Sequence, residues 1–267
     1  MRTDARRALR IALLALGALA GGCGEDSSDD EKGAAKAGFR VVALGDSETT
    51  GAGDPTGLGW DGRYARLLRE KLDRRVELTN LAVEGKTSEQ LRSEVRDDPT
   101  TRTELEKADV VLLGIGGADL NAGDDALAAG SCRAEACYAP VLRSFARNFD
   151  RTVAAIREVQ GSKETVLRSI TQPNGLTGAE DVIPPFLKRI STRIGSYQAR
   201  TANRSICQVM ARYHGRCIDV LKAFNGPEGT EDAYRKGLMN HDDCCYPSAK
   251  GQQLMAELLL RTGLEGG

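Results

Sequence analysis

The chain has 267 residues, of which 40% are hydrophobic and 28% charged. That is the composition of a soluble globular protein, long enough for one large domain or two small ones. The net charge of -1 leaves no excess of Lys and Arg to track a phosphate backbone, which argues against a nucleic-acid partner.

Residues 1–23 read as an export signal. Arg2, Arg6, Arg7 and Arg10 make a positive start, and residues 11–20 form an apolar run too short to span a bilayer comfortably. Ala20-Gly21-Gly22-Cys23 closes the segment and resembles a bacterial lipobox, with Ala20 where Leu is usual. The resemblance implies a lipid anchor on Cys23; simple cleavage and secretion is the alternative. Residues 24–37 are small and polar without apolar periodicity, and read as a flexible linker. The expected location is the outer face of a bacterial cell membrane, or outside the cell.

Residues 38–267 alternate strand-like and helix-like patterns. The run Val41-Val42-Ala43-Leu44 is a buried strand that ends at Gly45-Asp46-Ser47. In open α/β sheets ligands bind at this strand edge, so Ser47 is a candidate nucleophile. Glu48, next in sequence, is expected to point elsewhere. Residues 54–59 form a loop expected to line the cleft. A helical stripe follows over 61–72, then a strand over 76–83 and a helix over 87–95 with Ser88 as its cap. Residues 108–115 are a fully buried strand by their apolar continuity. A long helix is predicted over 140–159, a strand over 165–170, and a loop over 171–185 that shapes a pocket. A second long helix covers 186–213, a short strand 216–220, and a closing helix 248–260. Five strands with helices between them imply parallel pairing and an α/β fold, a three-layer α/β/α sandwich.

Seven cysteines fit an exported protein. With Cys23 lipidated, six remain, and Cys132–Cys137 and Cys207–Cys217 are the local disulfide candidates. Cys244 and Cys245 then form a vicinal bridge, stay free or exchange partners. No C-x-x-C pair and only two histidines are present, which leaves little for a metal site.

Four stretches fall where a site belongs: Gly45-Asp46-Ser47, Asn80 to Gly85, Gly116-Gly117-Ala118-Asp119, and Asp243-Cys244-Cys245-Tyr246-Pro247. Their order and spacing resemble the SGNH hydrolases, also called GDSL lipases and esterases. The resemblance covers nearly all of residues 38–267. It implies a flavodoxin-like sheet of order 2-1-3-4-5, with Ser47 as nucleophile and the Ser47 and Gly85 N–H groups in an oxyanion hole. Asp243 is implied as the carboxylate that orients the base.

Two positions depart from that family's pattern. Ala118 stands where G-x-N-D has Asn, and Tyr246 stands where D-x-x-H-P has His. A serine needs a base to take its proton, and tyrosine, with a pKa of about 10, is protonated near neutrality. His241, two residues before Asp243, is the candidate replacement. His214 is expected at the opposite edge of the sheet, and Asn121 in a cap or turn.

The leading expectation is a serine ester hydrolase that needs no cofactor or metal and acts as a monomer. Its substrate is a carboxylic ester or an acetylated glycan. The alternative is a non-catalytic domain that binds an acylated or glycan ligand at the cell envelope.

Overall fold

The computed structural model describes residues 38–181, 183, 185–188, 191–242 and 245–265. The export signal and linker with Cys23, and the pair Asp243 and Cys244, lie outside the described residues. In chain order the elements are β1 (Phe39–Gly45), α1 (Gly59–Leu72), β2 (Val76–Asn80), α2 (Ser88–Asp97), α3 (Pro99–Lys107), β3 (Val110–Gly114), α4 (Gly117–Ala128) and α5 (Glu135–Gln160). They continue with β4 (Val166–Ile170), α6 (Pro185–Lys188), α7 (Ser191–Arg212), β5 (Arg216–Ile218), α8 (Val220–Asn225) and α9 (Ala249–Arg261).

The strands form one parallel sheet in the order β2-β1-β3-β4-β5, the order that the SGNH resemblance implies. Alternation along a strand sends neighbouring side chains to opposite faces. Val41 and Ala43 join Val110, Leu112 and Ile170 in one core, closed by α1, α8 and α9. Val42 and Leu44 join Val111, Leu113 and Leu167 in the other, closed by α2, α3, α5 and α7. Each fully buried Val or Leu contributes roughly 1.5–3 kcal/mol relative to leaving it exposed. Two apolar faces are why the strands read as continuous apolar runs rather than alternating ones.

Arg168 interrupts that pattern in β4, where it is fully buried. Its guanidinium donates to Thr262 Oγ1 and to the Gly263 and Glu265 carbonyls, just beyond the end of α9. A cation is favoured at the negative end of a helix dipole. Burial nonetheless holds its pKa below the ordinary arginine value.

The structure moves several boundaries. The second strand stops at Asn80, because the Asn80 side chain accepts from Ala82 N–H at 2.8 Å and turns the chain. Thr87, not Ser88, caps α2: Thr87 Oγ1 accepts from Gln90 N–H, while Gln90 Oε1 accepts from Thr87 N–H at 2.8 Å. Helix α5 starts at Glu135 and carries Pro140 in its second turn. The expected helix over 186–213 is described as α6 and α7, with residues 189 and 190 outside the described residues.

Helices α3, α4 and α8 were not expected. The start of α3 carries a readable signal, since Asp98 accepts from Thr100 and Thr101 N–H ahead of Pro99. Asp219 does the same for α8, accepting from Lys222 N–H at 3.0 Å. The two local disulfides, Cys132–Cys137 and Cys207–Cys217, are present. Cys245 is also disulfide-bonded.

Candidate active site

The C-terminal ends of β1, β3 and β4 open into a cleft of about 600 Å³. β1 brings Ser47 to it. The chain turns directly after the strand: Thr49 and Thr50 N–H both donate to the Asp46 carbonyl, and Thr49 Oγ1 donates to the Gly114 carbonyl at 2.8 Å. Gly45 is needed there, because a Cβ at that position would run into the Gly114 carbonyl of the paired strand.

Asp46 fastens this turn to the next strand end. Its Oδ2 accepts from Gly116 N–H at 2.9 Å and from Gly117 N–H at 3.0 Å, and its Oδ1 accepts from Glu48 N–H at 3.2 Å. The carboxylate therefore sits at the N-terminus of α4, where a negative charge is favoured. Burial raises its pKa to about 6 against the lowering effect of these donors.

Asn80 ties in the β2 end. Its Nδ2 donates to the Thr49 carbonyl at 2.8 Å and to Asp61 Oδ2 at 2.7 Å. Burial raises Asp61 to about 6 as well. The following turn carries Gly85, whose φ of +74° suits glycine. Neither the Ser47 nor the Gly85 backbone N–H donates a hydrogen bond among the described residues. Ser88 then reaches across to α4, with its Oγ 2.5 Å and its N–H 2.8 Å from the Asp119 carboxylate.

Ser47, Gly85, Ala118 and Tyr246 all line the cleft. Asp243 lies outside the described residues. His241 is exposed; its ring stands 5.1 Å from that of Tyr234, and it is not among the cleft-lining residues. The loop that holds it is pinned by the Met239–Pro247 bridge and by Asn240 Nδ2 donating to the Gly53 carbonyl at 3.1 Å. His214 is exposed just before β5, at the edge opposite Ser47.

Other expectations are corrected here. Glu48 does not point away: it is 7% exposed and lines the cleft. Burial, aided by the nearby Asp46 charge, raises its carboxyl to about 8. Asn121 lies inside α4 and faces the cleft rather than capping a helix. Residues 54–59 stay out of the cleft, because Asp54 turns inward to a buried ion pair with Arg63. Gln172, Pro173, Gly175 and Leu176 of the predicted pocket loop line the cleft after β4.

The sequence profile of the GDSL-like lipase/acylhydrolase family matches residues 43–254. The chain belongs to that family. This GDSL-family chain is also 29% identical, over 142 residues, to the uncharacterized protein YpmR of Bacillus subtilis (strain 168). The match covers 52% of this chain and 54% of YpmR, so it spans about half the length of that curated relative. Among solved structures, a lipase from a goat rumen metagenome superimposes with a TM-score of 0.70 at 23% identity, covering 85% of this chain and 100% of that one. An acetyl xylan esterase from Geobacillus stearothermophilus gives 0.54 at 19% identity, covering 85% and 96%. At these identities the superpositions speak for the fold.

Proposed function

We propose that this GDSL-family protein hydrolyses a carboxylic ester or an acetylated glycan through Ser47. The observation that carries this reading is the placement of Ser47 in the cleft with Gly85, both with unengaged backbone N–H groups. Ser47 Oγ attacks the acyl carbonyl, and the Ser47 and Gly85 N–H groups take up the charge on its oxygen. Ala118 and Tyr246 occupy the positions where the family pattern has its third oxyanion donor and its base. His241, oriented by Asp243 and rotated about its side-chain torsions from Tyr234 toward the cleft, takes the Ser47 proton and gives it to the leaving alkoxide as the ester C–O bond breaks; water then attacks the acyl-Ser47 ester and releases the acid. In this reading the enzyme is anchored at the envelope through Cys23, or released after cleavage of residues 1–23, and works as a monomer.

Hydrolysis of a short-chain chromogenic ester by the full chain tests this reading beside Ser47→Ala and His241→Ala. Loss of turnover in both variants supports it. Turnover that survives Ser47→Ala sinks it, and turnover that survives only His241→Ala assigns the proton to another group.

A second reading is favoured by Ala118 and Tyr246 in the cleft and by the packing of His241 on Tyr234. It is a ligand-binding domain that takes an acylated or glycan ligand without turnover. A serine-directed fluorophosphonate separates the two. Labelling that disappears in Ser47→Ala supports the hydrolase; no labelling supports the binder.

A further inference from the structure

One feature of the cleft is not used by nucleophilic attack from Ser47. Glu48 is buried at the cleft wall, and its Oε2 has no hydrogen-bond partner among the described residues. The Gln172 side chain lines the same cleft, near enough to act on the Glu48 carboxyl. Gln172 is itself positioned from two sides: its N–H donates to Asn203 Oδ1 at 2.7 Å, and its Nε2 lies 3.4 Å from the Ile115 carbonyl. Leu142, Phe145, Ile183 and Ala199 give the same cleft apolar lining, beside polar Asn121, Asn174 and Gln198.

A buried polar atom without a partner costs free energy, and a ligand that satisfies it recovers that cost. An alkyl chain placed there leaves it unpaired. We propose that Glu48 and Gln172 form a hydrogen-bonding subsite that selects esters bearing an amide or hydroxyl group over esters of plain alkyl acids. A neutral carboxyl offers one O–H donor and one acceptor, and a primary amide side chain offers both as well. The matching ligand group therefore both donates and accepts, as an acetamido or hydroxyl group does. Burial keeps Glu48 in its neutral form near pH 7, since its carboxyl is raised to about 8. The proposal deepens the hydrolase reading and rests on it for turnover. Glu48 is in this account a specificity-determining residue, since no hydrogen bond joins it to the Ser47 hydroxyl.

The experiment compares two chromogenic esters of similar acyl length, p-nitrophenyl N-acetylglycinate and p-nitrophenyl pentanoate, each corrected for its uncatalysed rate. Sites that hydrogen-bond a substrate group discriminate strongly against analogues lacking it, so the full chain is expected to favour the amide ester by about 10- to 100-fold in kcat/KM. Glu48→Leu is expected to erase or invert that ratio, and Glu48→Gln to keep most of it. A ratio unchanged in Glu48→Leu overturns the subsite. If neither ester turns over faster than with Ser47→Ala, the hydrolase reading fails separately. The subsite is then read by saturation-transfer NMR with the unreactive N-acetylglycinamide and pentanamide. A preference for the first that Glu48→Leu removes supports it; equal binding, or none, overturns it.

Discussion

The Asp46 carboxylate accepts the Gly116 N–H across two strand ends at 2.9 Å. The residue before the candidate nucleophile thus ties the Ser47 turn to the first turn of α4. Asp46→Ala leaves the Gly116 and Gly117 N–H groups without their acceptor. Hydrogen bonds to a charged group are worth about 1.5–3 kcal/mol each, so a stability loss of about 3 kcal/mol is expected. Asp46→Asn keeps one acceptor oxygen and should lose about half as much. Urea denaturation of the three proteins checks the order; equal stability in Asp46→Ala and wild type removes the pin.

Stability should fall as pH rises from mildly acid to mildly alkaline. Asp46 and Asp61 are raised to about 6 and Glu48 to about 8, all above their ordinary values, so the folded state binds more protons than the unfolded one. Their contribution is complete below the ordinary carboxylate range and is lost as pH passes the folded values. Asp46 and Asp61 are largely ionised by about pH 7, so between about pH 7 and 8 Glu48 carries most of the remaining slope, about 1 kcal/mol per pH unit. Glu48→Gln is therefore expected to flatten that stretch. Urea midpoints across the range decide it, and a wild-type curve already flat from about pH 7 to 8 contradicts it.

Cys207–Cys217 joins α7 to β5 at the edge of the sheet and closes a loop of sequence separation 10. A loop of that size restrains the unfolded chain by about 2–3 kcal/mol. The paired Cys207→Ala and Cys217→Ala change should lower the thermal midpoint by several degrees for a chain of this length, about 2–4 °C per kcal/mol. An unchanged midpoint would mean that the bridge does not stabilise the sheet edge.

The strands were legible because both faces of the sheet are covered. Runs such as Val41-Val42-Ala43-Leu44 have to be apolar throughout, and that pattern survives without any tertiary knowledge. Strand order became legible only through the resemblance of the four blocks to the SGNH hydrolases. Glu48 was misread for a local reason. After Ser47 the chain winds into a tight turn closed on the Asp46 carbonyl, so successive side chains rotate by less than they do along a strand. Adjacent residues can then face the same cleft. The loop over 171–185 was legible as a pocket wall, but Gln172 did not stand out in it, because a glutamine in a loop carries no periodicity; its placement is set by Asn203 and Ile115, distant in sequence. Ser88 was assigned a cap because of its residue type, while its partner, Asp119, lies 31 residues away.

The departures from the family pattern proposed at Ala118 and Tyr246 make an experiment in gain of function. Tyr246 is half-buried at the cleft, close enough to the chain after Ser47 that a Cβ on Gly53 would press on its side chain. Tyr246→His places an imidazole, with an ordinary pKa of about 6.5, at the position proposed for the family's base. General-base assistance typically contributes about 10²–10⁴-fold in rate. Ala118→Asn adds an amide donor to the Ser47 and Gly85 N–H groups, and one such donor is worth about 10²–10³-fold in kcat. Tyr246→His is expected to raise kcat on a short-chain ester at least about 10-fold, allowing for imperfect positioning, and Ala118→Asn to raise it further in that background. Because the two groups act in one transition state, the double variant should exceed the product of the single effects. Ser47→Ala in the double variant must return it to background. If Tyr246→His leaves the rate unchanged while its fluorophosphonate labelling still depends on Ser47, position 246 does not present its side chain to the nucleophile, and the native base lies elsewhere in the cleft.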